Sequence, residues 1–261
     1  MQIWQAFILG IVQGVTEFLP ISSSGHLLLF EQILNVNTEN SELFLGIMLH
    51  AGTLVAVCFV YYKKLVALLF KNKRGLIFLI IATIPAAVVG YFLSDYIDKL
   101  IQGRIALAIA FFTSGILLII AEVVQKRRKE FTNTVGIKSS ILMGIGQALA
   151  VLPGISRSGS TYAAGICSGL DKQAALDFSF MMSIPIILGA IFNEILKICT
   201  GATSIAMHLP LTNLLIGMTS ATIFGILSIK LYKTMVLAGK FKYFAIYLVI
   251  LAGVLFFFPI V

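Results

Sequence analysis

A chain of 261 residues that is 59% apolar and 11% charged, with a mean hydropathy of +1.02, carries too few charged side chains to cover a water-exposed surface. That composition excludes a soluble enzyme, and equally a disordered chain, which needs the opposite balance. The net charge of +8 does not point to nucleic acid, because 14 of the 19 Lys and Arg residues fall in three clusters between apolar runs, at 63–74, 126–138 and 230–242, which is the charge pattern of cytoplasmic loops.

Taken in chain order, residues 3–15 predict a short helix of about 20 Å, against a hydrocarbon core of about 30 Å. It breaks at Phe18-Leu19-Pro20-Ile21-Ser22-Ser23-Ser24-Gly25, and a second short run, 25–34, leads to the polar segment 35–42. Runs at 43–62, 75–94 and 104–125 are long enough to span. The design then recurs, with a short run at 139–151, a break at Pro153-Gly154-Ile155-Ser156-Arg157-Ser158-Gly159, a restart over 160–170, and spans at 174–197, 211–232 and 242–260. The expectation is an all-α polytopic membrane protein, a single domain over 1–261, with six transmembrane helices plus two re-entrant helix-loop-helix hairpins, 3–34 and 139–170.

Smaller features fit this frame. Glu122, Asp177, Glu194 and Lys197 lie near span ends, where snorkelling is expected. Cys58, Cys167 and Cys199 are widely spaced and read as packing residues rather than disulfide or metal partners. Met1 to Leu9 lacks a basic leader and an Ala-x-Ala-like cleavage site, so no removable signal peptide is expected.

If the basic clusters face the cytoplasm, segments 35–42, 95–103 and 200–210 face outside; they hold Glu39, Glu42, Asp95 and Asp98, with Lys99 as their one basic residue. Both termini are then extracytoplasmic, and the two hairpins enter from opposite sides. Residues 134 apart match repeatedly: Gly10-Ile11 and Gln13 with Gly144-Ile145 and Gln147, Ile21-Ser22, Ser24 and Gly25 with Ile155-Ser156, Ser158 and Gly159, and Phe44 and Met48 with Phe178 and Met182. Two repeats are predicted, 1–133 and 134–261, inverted because each has an odd number of spans, with a site near the midplane where the broken helices meet.

The breaks hold the polar residues that hydrocarbon tolerates least. Non-helical backbone at membrane depth survives only where it is buried in protein or lines a wet cavity, and an ionisable group there normally has a partner or a task. Gln13 and Glu17 are four apart, on one helical face. Arg157 offers a planar fork of donors suited to phosphate oxygens. Ser22, Ser23, Ser24, Ser156, Ser158, Ser160 and Thr161 add hydroxyls, and the Gly25 and Gly159 amides stand where the short helices are expected to restart. Glu17 can hold a divalent cation against a pyrophosphate or act on a proton, and His26 suits acid–base or nucleophilic work. Against this stand plainer roles: Gln13 and Glu17 as a helix bridge, Arg157 as the structural counter-charge of Glu17, and His50 and His208 as packing or loop residues.

At these residues the chain resembles the undecaprenyl pyrophosphate phosphatase family, also called the bacitracin-resistance family, over essentially its full length. The family's first motif, Glu or Gln, three residues, then Glu, is met by Gln13-Gly14-Val15-Thr16-Glu17, followed by Phe18 to His26; its second, Pro-Gly-x-Ser-Arg-Ser with a Thr three residues on, by Pro153 to Thr161. Many relatives have Glu where Gln13 stands and Thr where Ser24 stands, so Glu17 is the sole acid of its pair here.

The resemblance implies removal of the terminal phosphate from undecaprenyl pyrophosphate on the outer face of the bacterial cytoplasmic membrane, recycling the lipid carrier of cell-wall synthesis and conferring bacitracin resistance. It implies Arg157 on the phosphates, Glu17 on a Mg²⁺ or Ca²⁺ ion or a proton, and His26 and Ser23 as nucleophile and base in either order. Gln13, Ser22, Ser24, Gly25, Ser156, Ser158, Gly159 and Thr161 would surround the pyrophosphate. The partners it implies are the polyprenyl pyrophosphate lipid and the bilayer, with a homodimer as the assembly it allows. Inverted halves are also transporter architecture, so a polyprenyl-phosphate flippase is the rival expectation. The type 2 phosphatidic acid phosphatases share a Ser-Gly-His element, but Ala163 stands where their next motif needs its His.

Overall fold

The computed structural model describes residues 1–36, 42–100, 103–200 and 209–258, without the side chains of 42, 43, 94–100 and 197. Glu39 and His208, and the side chains of Glu42, Asp95, Asp98, Lys99 and Lys197, lie outside that description. The described residues form ten helices: α1 (Ile3–Phe18), α2 (Ser23–Ile33), α3 (Glu42–Phe70), α4 (Lys73–Leu100), α5 (Arg104–Arg127), α6 (Ile137–Leu149), α7 (Arg157–Ser168), α8 (Lys172–Cys199), α9 (Leu211–Leu237) and α10 (Lys242–Phe257). The only extended pairing among them is an isolated bridge between Thr132 and Leu170. Five helices are long and apolar enough to cross a bilayer, over Phe44–Phe70, Lys73–Leu93, Arg104–Arg127, Lys172–Leu196 and Leu211–Leu237. At 16 residues, α10 reaches about 24 Å. Large apolar side chains such as Phe59, Phe92, Phe192 and Ile250 point outward, as they do when lipid is the solvent.

Both expected breaks are present, with shifted edges. In the first, α1 runs to Phe18 because the chain stays apolar and helix-competent up to Leu19, whose extended backbone (φ −66°, ψ 148°) is what the following Pro20 demands. The next helix starts at Ser23, two residues before Gly25, because Ser22 caps it. In the second, α7 starts at Arg157 rather than near 160, capped by Ser156. Arg157 is therefore the first residue of a helix and not a loop residue.

Small residues let the short helices sit deep in the fold. Along the α1–α9 seam, a Cβ added at Gly10 would lie 1.8 Å from Ser220 Oγ and 2.3 Å from the Gly217 carbonyl. Hydroxyls bridge the same seam, Ser220 donating to the Phe7 carbonyl at 3.1 Å and Ser228 to that of Val15 at 2.7 Å, as is usual where helices have no hydrophobic reason to associate. The α6–α4 seam is built alike, with Gly144 against the backbone of Ala82.

One expectation is corrected. Asp177 does not snorkel: it faces α3 and is buried, and it accepts hydrogen bonds from Tyr61 (2.8 Å), Gln173 (2.6 Å) and Lys64. Lys64, half exposed, reaches in to it. Glu122 pairs with Lys126 at 2.7 Å.

Gly10→Val should destabilise the protein by at least the roughly 1–3 kcal/mol of an overpacked core, since the obstacle is backbone. Gly46→Ala, with nothing within 4 Å of the added carbon, should leave thermal unfolding in detergent unchanged; equal midpoints for both variants would contradict the packing.

Candidate active site

The two breaks meet. Ser158 Oγ donates to the Leu19 carbonyl at 2.9 Å, and the Gly154 amide donates to Ser24 Oγ at 3.2 Å. Gly154 makes this turn at φ +86°, a conformation an L side chain resists. A third contact carries charge: Arg157 Nη2 donates to Glu17 Oε1 at 2.6 Å, with side-chain exposures of 12% and 8%. The second carboxylate oxygen, Oε2, accepts from Ser23 Oγ at 2.5 Å and from Gln13 Nε2 at 3.2 Å. Glu17 thus draws a cation, a hydroxyl and an amide onto one buried carboxylate. Beside this carboxylate, Arg157 Nη1 and Gln13 Oε1 are buried with no hydrogen-bond partner among the described residues, as is the nearby Ser160 Oγ.

His26 is set by a strained neighbour. Ser22 holds φ 72°, ψ 106°, a conformation that costs a non-glycine residue on the order of 1–3 kcal/mol. Its carbonyl accepts from His26 Nδ1 at 2.7 Å. A carbonyl only accepts, so Nδ1 carries the proton and Nε2 of the neutral ring is the acceptor; it receives Tyr247 Oη at 2.7 Å. The imidazole lies between Phe111 of α5 and Tyr247 of α10, with ring centroids 5.3 and 5.7 Å away.

The remaining expected residues hold the breaks together. The Gly25 and Gly159 amides, expected to face an anion, are taken by the capping hydroxyls of Ser22 (3.5 Å) and Ser156 (3.2 Å), because the helices start two and three residues earlier than expected. Both glycines pack tightly, Gly25 against the Phe111 ring and Gly159 against Leu118 and Pro20. Buried Thr161 bonds the Arg157 carbonyl (2.8 Å) and Ser179 Oγ (2.6 Å). Ser24 is exposed and Ser23 partly so, which leaves the serine end of the site open. His50 donates from Nδ1 to the Gly46 carbonyl of its own helix at 2.9 Å.

Sequence reasoning missed three participants: Tyr247 on His26, Ser114, whose hydroxyl accepts the Ser156 amide at 2.9 Å, and Ser179 on Thr161. Tyr247 is 221 residues from its partner and sits in a uniformly apolar run, so no local pattern marks it.

The site can bind an anion and move a proton. A hydroxyl already hydrogen-bonded to a carboxylate is an activated nucleophile, and a guanidinium with a spare N–H beside it is a phosphate ligand.

Comparison with known proteins finds the family described as bacitracin resistance protein BacA over residues 6–254. The chain is similar to undecaprenyl-diphosphatase 3 of Bacillus cereus, 38% identical over 245 residues that cover 93% of this chain and 92% of the relative. It is similar to the undecaprenyl-diphosphatase of Halothermothrix orenii, 34% identical over 265 residues covering 97% and 100%, and to that of Thermodesulfovibrio yellowstonii, 33% over 255 residues covering 98% and 96%.

Arg157→Met leaves a buried carboxylate without its counter-charge and should lower stability by about 3–5 kcal/mol. Adding Glu17→Gln should restore most of that loss, read as thermal unfolding midpoints in detergent; a single variant as stable as the parent would mean the pair does not hold the breaks.

Proposed function

The chain belongs to the bacitracin resistance protein BacA family, and on that premise we propose that it is an undecaprenyl-diphosphatase, an integral membrane hydrolase that converts undecaprenyl pyrophosphate to undecaprenyl phosphate and inorganic phosphate. That reaction recycles the lipid carrier of peptidoglycan synthesis and confers bacitracin resistance. The observation that carries the proposal is the single carboxylate of Glu17, with the Ser23 hydroxyl 2.5 Å away on one oxygen and Arg157 2.6 Å away on the other.

Ser23 is the nucleophile in this reading. Its Oγ attacks the terminal phosphorus while its proton passes to Glu17. The bond from phosphorus to the bridging oxygen breaks, and the electron pair leaves with the lipid monophosphate. Arg157 Nη1 donates to a phosphate oxygen and stabilises the charge that develops there. Water then attacks the phosphoserine, His26 Nε2 takes a proton from it, and Glu17 returns its proton to Ser23 Oγ as inorganic phosphate departs. Ser24, Ser156 and Ser158 keep the two breaks in register around the pyrophosphate, with Ser22 and Thr161 behind them.

A Mg²⁺ or Ca²⁺ ion fits the donors. Glu17 and the unpartnered Gln13 Oε1 are hard oxygen ligands. These two oxygens would be the protein's ligands to such an ion, since among the described residues there is no group of three His, Cys, Asp or Glu that could hold one. When bound, the ion neutralises pyrophosphate charge.

The proposal extends to architecture: six transmembrane helices, with α10 as the sixth, two re-entrant hairpins and two inverted repeats. Helix pairings support it, because exchanging α1–α5 for α6–α10 turns α1–α9 into α6–α4 and α3–α9 into α8–α4, and returns α5–α10 and α3–α8 to themselves. For orientation, support comes from the two faces of the molecule. Gln125, Lys126, Phe131, Asp171, Lys172, Gly239 and Phe241 line one cavity of about 380 Å³, which gathers two of the basic loops at one end. Asn213 Nδ2 donates to the Met1 carbonyl at 2.9 Å and Gln5 Nε2 to that of Leu34 at 3.0 Å, gathering the N-terminus, the end of α2 and the start of α9. The site then opens to the extracytoplasmic side of a bacterial cytoplasmic membrane.

Purified protein with undecaprenyl pyrophosphate and Mg²⁺ should release phosphate. Ser23→Ala should lose about 10²–10⁴-fold in rate, and His26→Ala should accumulate phosphoserine at residue 23, seen by mass spectrometry. Phosphohistidine on His26 in Ser23→Ala would reverse the two roles. For orientation, a cysteine at Asn37 should react with an impermeant thiol reagent in intact cells and one at Asn133 should not; the opposite pattern would invert the topology.

A further inference from the structure

Tyr247, the partner of His26, lies outside both sequence motifs, and the geometry of the contact asks more of it than packing. The Ser22 carbonyl fixes the His26 proton on Nδ1. That is the less common tautomer of a free imidazole, and it leaves Nε2 as the only ring atom able to accept a proton. Tyr247 Oη sits on that atom at 2.7 Å, with the two rings stacked at an interplanar angle of 19°. Phe111 closes the other side of the imidazole. The Ser22 cap, Phe111 of α5 and Tyr247 of α10 thus hold one ring, and among the described residues Tyr247 is the hydrogen-bond partner of the nitrogen that would work. The phenol ring is 42% exposed and its neighbours Ile246 and Ile250 are also exposed, so the hydroxyl is the inward polar tip of a residue on the outer face of α10.

We infer that Tyr247 is a positioning residue for the hydrolytic half of the reaction: its hydroxyl holds His26 in the Nδ1–H tautomer with Nε2 aimed for proton transfer, and hands that nitrogen over to water when the phosphoenzyme forms. The inference rests on the proposed roles of Ser23 and His26. It adds a residue from the last helix, far from either motif, and it assigns α10 a part in the chemistry.

Tyr247→Phe keeps the ring and its stacking and removes only the hydroxyl. Turnover should fall on the order of tenfold to a hundredfold, as a misaimed catalytic group costs, with KM within about twofold because substrate binding rests on Arg157 and Glu17. In a His26→Ala background the same change should cost nothing further. The chain has three histidines, so ¹⁵N-imidazole spectra resolve His26 directly: the parent should show the Nδ1–H form, and Tyr247→Phe should shift the Nε2 resonance. Unchanged turnover and spectrum in Tyr247→Phe, or an equal loss with and without His26, would overturn the assignment. Full activity in His26→Ala would instead remove the reading on which it rests, so the two failures are distinguishable.

Discussion

One buried ion pair joins two segments of backbone that have no business at membrane depth. Glu17 closes the first break and Arg157 opens the helix after the second, and each charge is tolerable in an apolar interior because the other lies 2.6 Å away. Around that pair the rest of the structure is support. Gly10 and Gly14 let α1 press against α9, and the Gly225 backbone lies close behind. The capping serines 22 and 156 absorb amides that hydrocarbon would leave unpaired, and Ser114 of α5 takes one more.

The site divides its polar atoms between holding and reacting. Most hydroxyls hold: Ser22, Ser156, Ser158 and Thr161 are buried and engaged with backbone or with one another. Those with chemical freedom are few. Ser23 touches only the carboxylate that would take its proton, Arg157 has an N–H to give, and Gln13 has an oxygen to give. The strain at Ser22 turns a carbonyl toward His26 and fixes which of its nitrogens can act. A site assembled this way is preorganised by backbone.

Much of this was legible in the sequence, for a physical reason. In a chain that is 11% charged, every ionisable group away from the loops stands out, and Glu17, His26 and Arg157 were all visible as residues without a topological role. The breaks were visible through Pro20, Pro153 and the serine runs. Their edges were not, because a capping serine moves a helix start by two or three residues, and that shift changes the Gly25 and Gly159 amides from anion ligands into cap donors. Asp177 was misread because a span-end acid that snorkels and one that ties α3 to α8 look the same in one dimension. Tyr247 was invisible, since a tyrosine among apolar residues gives no sign of what it will meet 221 positions away.

In the proposed reaction Arg157 holds Glu17 with one guanidinium nitrogen and keeps another for the phosphate. Lysine supplies the same charge at a single nitrogen and cannot present separate nitrogens to the carboxylate and the phosphate in one planar fork. Phosphate release from undecaprenyl pyrophosphate by purified Arg157→Lys, with folding verified by its unfolding midpoint, is the most direct test. A loss of about a hundredfold or more is expected, the scale of removing one transition-state donor; turnover near that of the parent would mean that Arg157 does not serve both partners.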